Sequence, residues 1–293
     1  MRLKRLAYRT LSRALRTYWA ISRGRKVTAM GESLKLTANT TFPSHRRLRL
    51  PKGTCDSEIV RYADFVQMHV CCRYCAGLQH PPTVVDVGAH HGAYAVVLGK
   101  IAQRTGGRVI AVEPNPENFR TLEKNVQLNG LSETVLVEPV AITEELSRVT
   151  LTLEGSESWV GNGGSGATVE VQGGPLSHLL NRHSIAHVDL LIIDVEGAEL
   201  PVLRGFPWSE VPTGRVLCEL HPNEWHKFGY GPQDFRDFLK TRDFRCVDMY
   251  FQEYDDVPTE RYIGPCCFLP RGAVVSAHAE EGRVDGVSDA AST

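Results

Sequence analysis

From Thr83 onward the sequence alternates between short apolar runs and stretches of helical period, and this alternation restricts the fold more than any other feature. Val84–Val87, Arg108–Val112, Thr134–Ile142, Val188–Asp194 and Arg215–Leu220 read as strands. Ala93–Ala102, Pro116–Asn129 (ended by Gly130), Leu176–Leu180, Leu200–Gly205 and Pro232–Lys240 read as the helices between and after them. Near-continuous apolar strands are buried on both faces. Strand–helix alternation therefore predicts an α/β fold, a doubly wound and mostly parallel sheet with helices on both sides. Cys246–Tyr250 and Cys266–Leu269 are expected to finish the sheet. Val149–Leu153 and Thr168–Val171 alternate like an antiparallel pair, and the Gly- and Ser-rich segment Gly155–Gly166 between them reads as a mobile loop.

This sheet domain is expected over residues 83–270, cut off from what precedes it by Pro81-Pro82. Residues 27–82 form an extension of short strands followed by a helix over Asp56–Cys75, where Ile59, Ala63, Val66 and Val70 recur at helical spacing. Residues 271–293 are small and polar and read as a disordered tail. Residues 1–26 carry nine cations and no acid, which leaves the rest of the chain at −10 out of an overall −1. Within them Leu3, Ala7, Leu11, Ala14, Leu15 and Tyr18 share one helical face opposite the arginines. That basic amphipathic helix fits packing on the domain and contact with an anionic membrane equally, with a cleaved targeting peptide as a third reading. The acidic body argues against a nucleic-acid partner, which requires cations to replace phosphate counterions. No apolar run approaches the ~20 residues that span a bilayer, and arginines interrupt the start where a secretory signal would be apolar. The expected location is the cytoplasm, at the inner face of a membrane if the helix lies on one. Eight cysteines then read as reduced thiols. Cys72-x-x-Cys75, with His69 and Cys266-Cys267 as further donors, is weighed as a zinc site against buried, inert thiols; the inert reading is preferred and no metal is assigned.

In sheets of this kind ligands bind at the carboxyl ends of the strands where the strand order reverses. Four loops meet there, beginning at Asp86, Glu113, Ala141 and Asp194. The first is Asp86-Val87-Gly88-Ala89-His90-His91-Gly92, directly after a buried strand and opening a helix. Its glycines permit a tight turn and close backbone approach, the helix start offers free N–H groups, and Asp86 can accept from a ligand ammonium. The second is Glu113-Pro114-Asn115-Pro116, where an acid closing the second strand can take both hydroxyls of a ribose. Nicotinamide enzymes share that acid, but their G-x-G-x-x-G loop has a second glycine that makes room for pyrophosphate. Here Ala89 and His90 follow Gly88. Their Cβ atoms would crowd a pyrophosphate, whereas a sulfonium nucleoside carries no phosphate. S-adenosyl-L-methionine is therefore the expected cofactor, held by Asp86, Gly88, Ala89, His90, Gly92, Glu113, Pro114, Asn115, Ala141 and Asp194.

The segments Val85–Gly92, Val109–Phe119, Leu122–Asn125, Leu128–Gly130, Val188–Glu199, Val202–Gly205 and Glu219–Pro222 resemble the FkbM-type methyltransferases. The resemblance covers about residues 83–222. It implies a class I methyltransferase fold, Rossmann-like and doubly wound, and S-adenosylmethionine-dependent transfer to a hydroxyl oxygen, often of a sugar, polysaccharide or secondary metabolite.

Transfer from sulfonium to oxygen is an in-line displacement in which alignment supplies much of the rate, and a positioned base takes the hydroxyl proton. The candidates for catalysis are Asp194, Glu196 and His221. Asp194 and Glu196 bracket Val195, with one expected to face the cofactor and the other the opposite side; Glu219 and His221 bracket Leu220 in the same way. His221 is the candidate base whose ordinary pKa lies nearest neutrality. Glu196 reads equally as a cap of the next helix, and His221 as a packing histidine. Glu138 and Val140 fall where the adenine is expected, Glu138 as an acceptor for the exocyclic amine or as a solvent-facing strand residue. Trp159 and Trp225 read as packing residues, with stacking on a sugar as the alternative. Two other functions fit a similar sheet: an NAD(P)-dependent oxidoreductase, and a non-catalytic nucleotide-binding or scaffold protein.

Overall fold

The computed structural model describes residues 25–29, 32–36, 56–154, 157–160, 166–247, 253–254, 256 and 265–270, with side chains from Gln67 onward except at 154, 157–160, 265 and 270. The proposed N-terminal helix over residues 3–19 and the tail after 270 lie outside these residues. Arg25 and Lys26, grouped above with the helical segment, are in a strand instead: β1 (Arg25–Ala29) pairs antiparallel with β2 (Glu32–Leu36).

Helix α1 (Asp56–Gly77) leads into β3 (Thr83–Val87), α2 (Ala93–Thr105), β4 (Arg108–Val112), α3 (Pro116–Leu128) and β5 (Val135–Glu138). After β5 come β6 (Val140–Ile142), β7 (Ser147–Glu154), β8 (Glu157–Val160) and β9 (Ala167–Gly174). The chain returns to the main sheet through α4 (Leu176–Arg182), β10 (Val188–Ile193), α5 (Glu199–Arg204) and β11 (Thr213–Glu219). A 3₁₀ turn (Trp225–Phe228), α6 (Pro232–Thr241), β12 (Phe244–Val247) and β13 (Pro265–Pro270) complete the fold.

The main sheet has seven strands in the order β12-β13-β11-β10-β3-β4-β5. β11, β10, β3, β4 and β5 are parallel, and β13 runs against both β11 and β12. From β3 the chain winds outward through β4 and β5, then crosses back to β10 and β11 on the other side. The switch point therefore lies between β3 and β10, at the ends that carry Gly88 and Asp194. Alternate residues of each strand feed opposite faces. Val85, Val87, Ile110, Val112, Leu191 and Ile193 pack with α4, α5, Trp225 and Phe235. Val84, Val109, Ala111, Leu190, Ile192 and Leu217 pack against α1, α2 and α3. Met68, Cys71, Cys72 and Cys75 of α1 belong to this second cluster, so the end of the extension shares the core of the sheet domain.

Two readings are corrected. The strand expected over Thr134–Ile142 is two strands in different sheets. Pro139 lacks the N–H a ladder needs, so β5 ends at Glu138 and β6 joins a second, four-stranded sheet in the order β6-β9-β7-β8. The segment read as a mobile loop holds β8, whose Glu157–Val160 pairs with Leu151–Glu154 of β7. The expected β7–β9 pairing is present, with Val149 opposite Val171, while the strand expected at Cys246–Tyr250 is described as β12 at Phe244–Val247. Among the described residues no helix is long and apolar enough to cross a membrane.

Candidate active site

The first loop is bent tightly beneath β10. Gly88 has φ +85°, and a Cβ placed there would stand 1.7 Å from the Asp194 carbonyl oxygen, so the position accepts no side chain without moving the β10 terminus. Gly88 N and Ala89 N donate to Val112 O at 3.0 and 2.9 Å, which ties the loop to the end of β4. Gly92, also left-handed at φ +81°, is the N-cap of α2. His90 has φ +50° and stacks on His91 with ring centroids 3.9 Å apart. Burial, with His90 next, lowers the His91 pKa to about 4, so this imidazole is neutral and packs.

Two buried acids face each other across this bend. Asp86 accepts from the Ala95 backbone N–H at the start of α2, and its Oδ2 has no hydrogen-bond partner. Glu113 accepts from His90 N at 2.8 Å through Oε2 and from Asn115 N at 2.9 Å through Oε1. Asn115 in turn caps α3: its Oδ1 accepts from Glu117 N at 2.9 Å, with Pro116 at the first helical position. Burial pushes both carboxyls up to about 7; the Glu113 charge adds to the rise at Asp86, and the donated N–H bonds oppose it at Glu113. A buried carboxylate oxygen without a donor is costly. A ligand offering an ammonium and hydroxyls supplies what the Asp86–Glu113 pair lacks.

The second group of charges gathers at the tips of β10 and β11. Asp194 N donates to Val87 O at 3.0 Å, which fixes this tip beside the cofactor loop. His221 Nδ1 lies 2.8 Å from Glu199 Oε1, and Nε2 lies 3.5 Å from Glu196 Oε2 and 3.9 Å from Glu219 Oε1. Asp194 feels Glu219, His221, Glu196 and Glu199, so the expectation that the members of each bracketed pair face opposite sides is wrong. Residues two apart share a strand face, and Glu196, at φ +50°, has left strand geometry altogether. The loop turns it back toward His221.

Glu199 is fully buried, and nothing in the local sequence marks it as part of the site. Its Oε1 accepts from Gly197 N at 3.0 Å, its Oε2 accepts from Trp225 Nε1 at 2.7 Å, and the Tyr230 hydroxyl is 3.1 Å from Oε2. The sequence signal available was an acid in the first turn of an otherwise apolar helix. Its partners come from a separate loop, 26 and 31 positions away. Trp225 is thereby a packing residue, stacked on Phe235 at 5.0 Å, while the Trp159 side chain lies outside the described residues. Burial lowers the His221 pKa, but the Glu199 hydrogen bond and the charges of Glu196, Glu199 and Asp194 outweigh it and push it up to about 10. At neutral pH this histidine holds a proton. The expectation that it is poised near neutrality as a base is therefore corrected, and the basic groups here are the carboxylates. Burial, then Glu219, pushes Asp194 well above the usual carboxylate range. Donor atoms of Asp194, Glu219 and His221 lie within 4.8 Å of one another, a set on which a divalent ion would compete with the His221 proton.

The remaining expected contacts divide. Pro114 and Asn115 form the turn that Glu113 caps. Ala141 is buried in β6 opposite Gly173, in the second sheet. Glu138 pairs with Arg182 and His183, so the adenine-acceptor reading gives way to an ion pair that ties β5 to α4. The seven described cysteines are buried thiols, and burial raises those of Cys71 and Cys218, in keeping with inert packing. Among the described residues, the groups of three donors close enough to hold a metal include none of them.

A doubly wound sheet whose switch-point crevice holds paired acids at adjacent strand tips, with Cβ-bearing residues where a pyrophosphate would lie, defines a nucleoside-dependent α/β enzyme of the class I methyltransferase type. The model of the methyltransferase FkbM domain matches residues 86–246. The chain belongs to that family: it is a methyltransferase with S-adenosylmethionine as methyl donor. A relative, the methyltransferase sdnD of Sordaria araneosa, is 26% identical over 210 residues, covering 58% of this chain and 78% of its own. Among solved structures, methyltransferase FkbM of Methylobacillus flagellatus is 16% identical with a TM-score of 0.40; the match covers 64% of this chain but only 43% of that one. TomG, an O-methyltransferase from Streptomyces achromogenes crystallised with S-adenosylmethionine, is 14% identical with a TM-score of 0.43 and covers 78% of this chain and 86% of its own.

Proposed function

We propose that this enzyme transfers its methyl group to a hydroxyl oxygen of a small molecule, of the sugar, glycan or secondary-metabolite class. The observation that carries this reading is the carboxylate cluster at the tips of β10 and β11, next to the cofactor bend. Asp86 accepts from the ammonium of the donor, Glu113 from its ribose hydroxyls, and the bend at Gly88 lets the donor's backbone-facing side approach the loop. The sulfonium supplies an activated methyl group. The protein aligns the acceptor oxygen behind it and removes the proton.

Asp194 takes that proton. The charge of His221 favours its ionised form, a buried carboxylate is then a stronger base than an exposed one, and this one stands at the strand tip beside the cofactor loop. His221, protonated and held by Glu199, offsets the surrounding negative charge and positions the carboxylates. A mass-spectrometric screen tests the reading: hydroxylated sugars, glycans and metabolites are incubated with enzyme and donor and searched for the mass gain of one CH₂ unit. A gain on hydroxyl oxygen that Asp194→Asn abolishes supports it. Methylation confined to nitrogen or carbon acceptors contradicts it.

A further inference from the structure

At the amino-terminal edge of the parallel strands, the end remote from the cofactor bend, three side chains from separate segments converge. His80 lies between α1 and β3, His187 immediately before β10, and Asp189 within β10. Asp189 and Asp194 are five strand residues apart, which puts this point roughly 16 Å from the carboxylate cluster. His80 Nε2 is 2.7 Å from Asp189 Oδ1, and His187 Nε2 is 3.4 Å from Asp189 Oδ2. The same Oδ2 accepts from the Thr83 backbone N–H at 2.7 Å. All three donor atoms lie within 4.8 Å of one another. The Asp189 side chain is 9% exposed, while those of His80 and His187 are 51% and 44% exposed.

We propose that His80, His187 and Asp189 bind a divalent transition-metal ion, with zinc best matched to the donors, and that the ion staples the α1–β3 connection to the start of β10. Two imidazole nitrogens and one carboxylate select zinc and its neighbours over magnesium or calcium, which require oxygen. Ligands of a tetrahedral zinc at bonds of ~2.0–2.2 Å stand about 3.3 Å apart. The two imidazoles approach different oxygens of Asp189, His80 at Oδ1 and His187 at Oδ2, so a zinc on one of these oxygens requires the half-exposed His80 and His187 rings to shift from their present positions within 4.8 Å. The Thr83 N–H orients the carboxylate from behind, as outer partners do in metal sites. The exposed side leaves a fourth position for water. The ion would join residues 107 positions apart and anchor the end of α1, whose Cys75 and Cys72 pack in the core.

This site does not depend on the acceptor reading, and its test needs no turnover. Full-length chain, its thiols kept reduced with a phosphine, is titrated with Zn²⁺ by calorimetry, beside His80→Ala and His187→Ala. The expected result is one zinc equivalent in the parent that each variant loses, with S-adenosylhomocysteine binding unchanged in both. Zinc at about a hundred times its Kd should raise the parent Tm by about 5 °C and leave the variants unmoved. Co²⁺ gives a second readout, as visible absorption bands of a low-coordinate site in the parent and not in the variants. Equal zinc uptake by parent and variants, or no uptake by the parent, overturns the proposal.

Discussion

The two acid-rich regions of the cleft are only a loop apart, yet they handle buried charge in opposite ways. At the tips of β3 and β4, Asp86 and Glu113 are buried and held by backbone N–H groups and the Asn118 side chain, with Asp86 Oδ2 left unmet. At the tips of β10 and β11 the acids surround His221, which holds its proton among them. The first arrangement is incomplete without a ligand that brings donors and positive charge. The second meets part of its negative charge within the protein, through protonated His221, and its work is to hold groups in place and move a proton. Burial alone thus does not assign a role to an acid; what meets it does.

The largest expected effect is at Asp194. Replacing it with Asn should lower kcat by about 10²–10⁴-fold with little change in S-adenosylhomocysteine affinity. If affinity falls and kcat does not, the division of labour between the regions is wrong. Gly88→Ala attacks the joint between them. With a left-handed φ and Asp194 O in the path of the new Cβ, it should cost at least about 2 kcal/mol in denaturant unfolding, and unchanged stability would show that the loop and β10 are not in close contact.

Titration sharpens the contrast further. Asp86 and Glu113 have native pKa values near 7, above the unfolded 3.8 and 4.5. Between those limits the folded state binds more protons than the unfolded state, so the stability of the cofactor-free protein should fall as pH rises from about 4 to about 7. Asp86→Asn should flatten that slope in a thermal-unfolding series. The smallest effect is expected from Glu199→Gln. The His221 pKa should move down from about 10, read by NMR of the ring, while cofactor affinity stays constant.

The fold was legible because short apolar runs alternate with segments of helical period, the pattern that a parallel sheet covered on both faces leaves in a sequence. Val188–Ile193 and Arg108–Val112 needed no tertiary information. The cofactor bend was legible for a similar reason, since Gly88 and Gly92 answer to local backbone geometry. What stayed hidden depends on distant partners. Pro139 was visible, but its power to send β6 into another sheet rests on pairing with Gln172–Gly174. Glu138 was placed near adenine because nothing local shows that Arg182 and His183 claim it. Glu196 reads equally as a site carboxylate and as a helix cap until its positive φ turns it toward His221, and Glu199 is a helix-start acid until Trp225 and Tyr230 close over it. The pKa of His221 was misjudged because a reference value ignores four carboxylates brought in by folding.

The central claim is that Glu113, beside Asp86, grips the ribose of the methyl donor. Calorimetric titration of S-adenosylhomocysteine into parent and Glu113→Gln, repeated from pH 5.5 to 8, tests it most directly. The account predicts that parent affinity rises with pH through about 7 as the pair ionises, and that Glu113→Gln binds roughly 10- to 100-fold more weakly at pH 8. Equal affinity of the two proteins at that pH would contradict it.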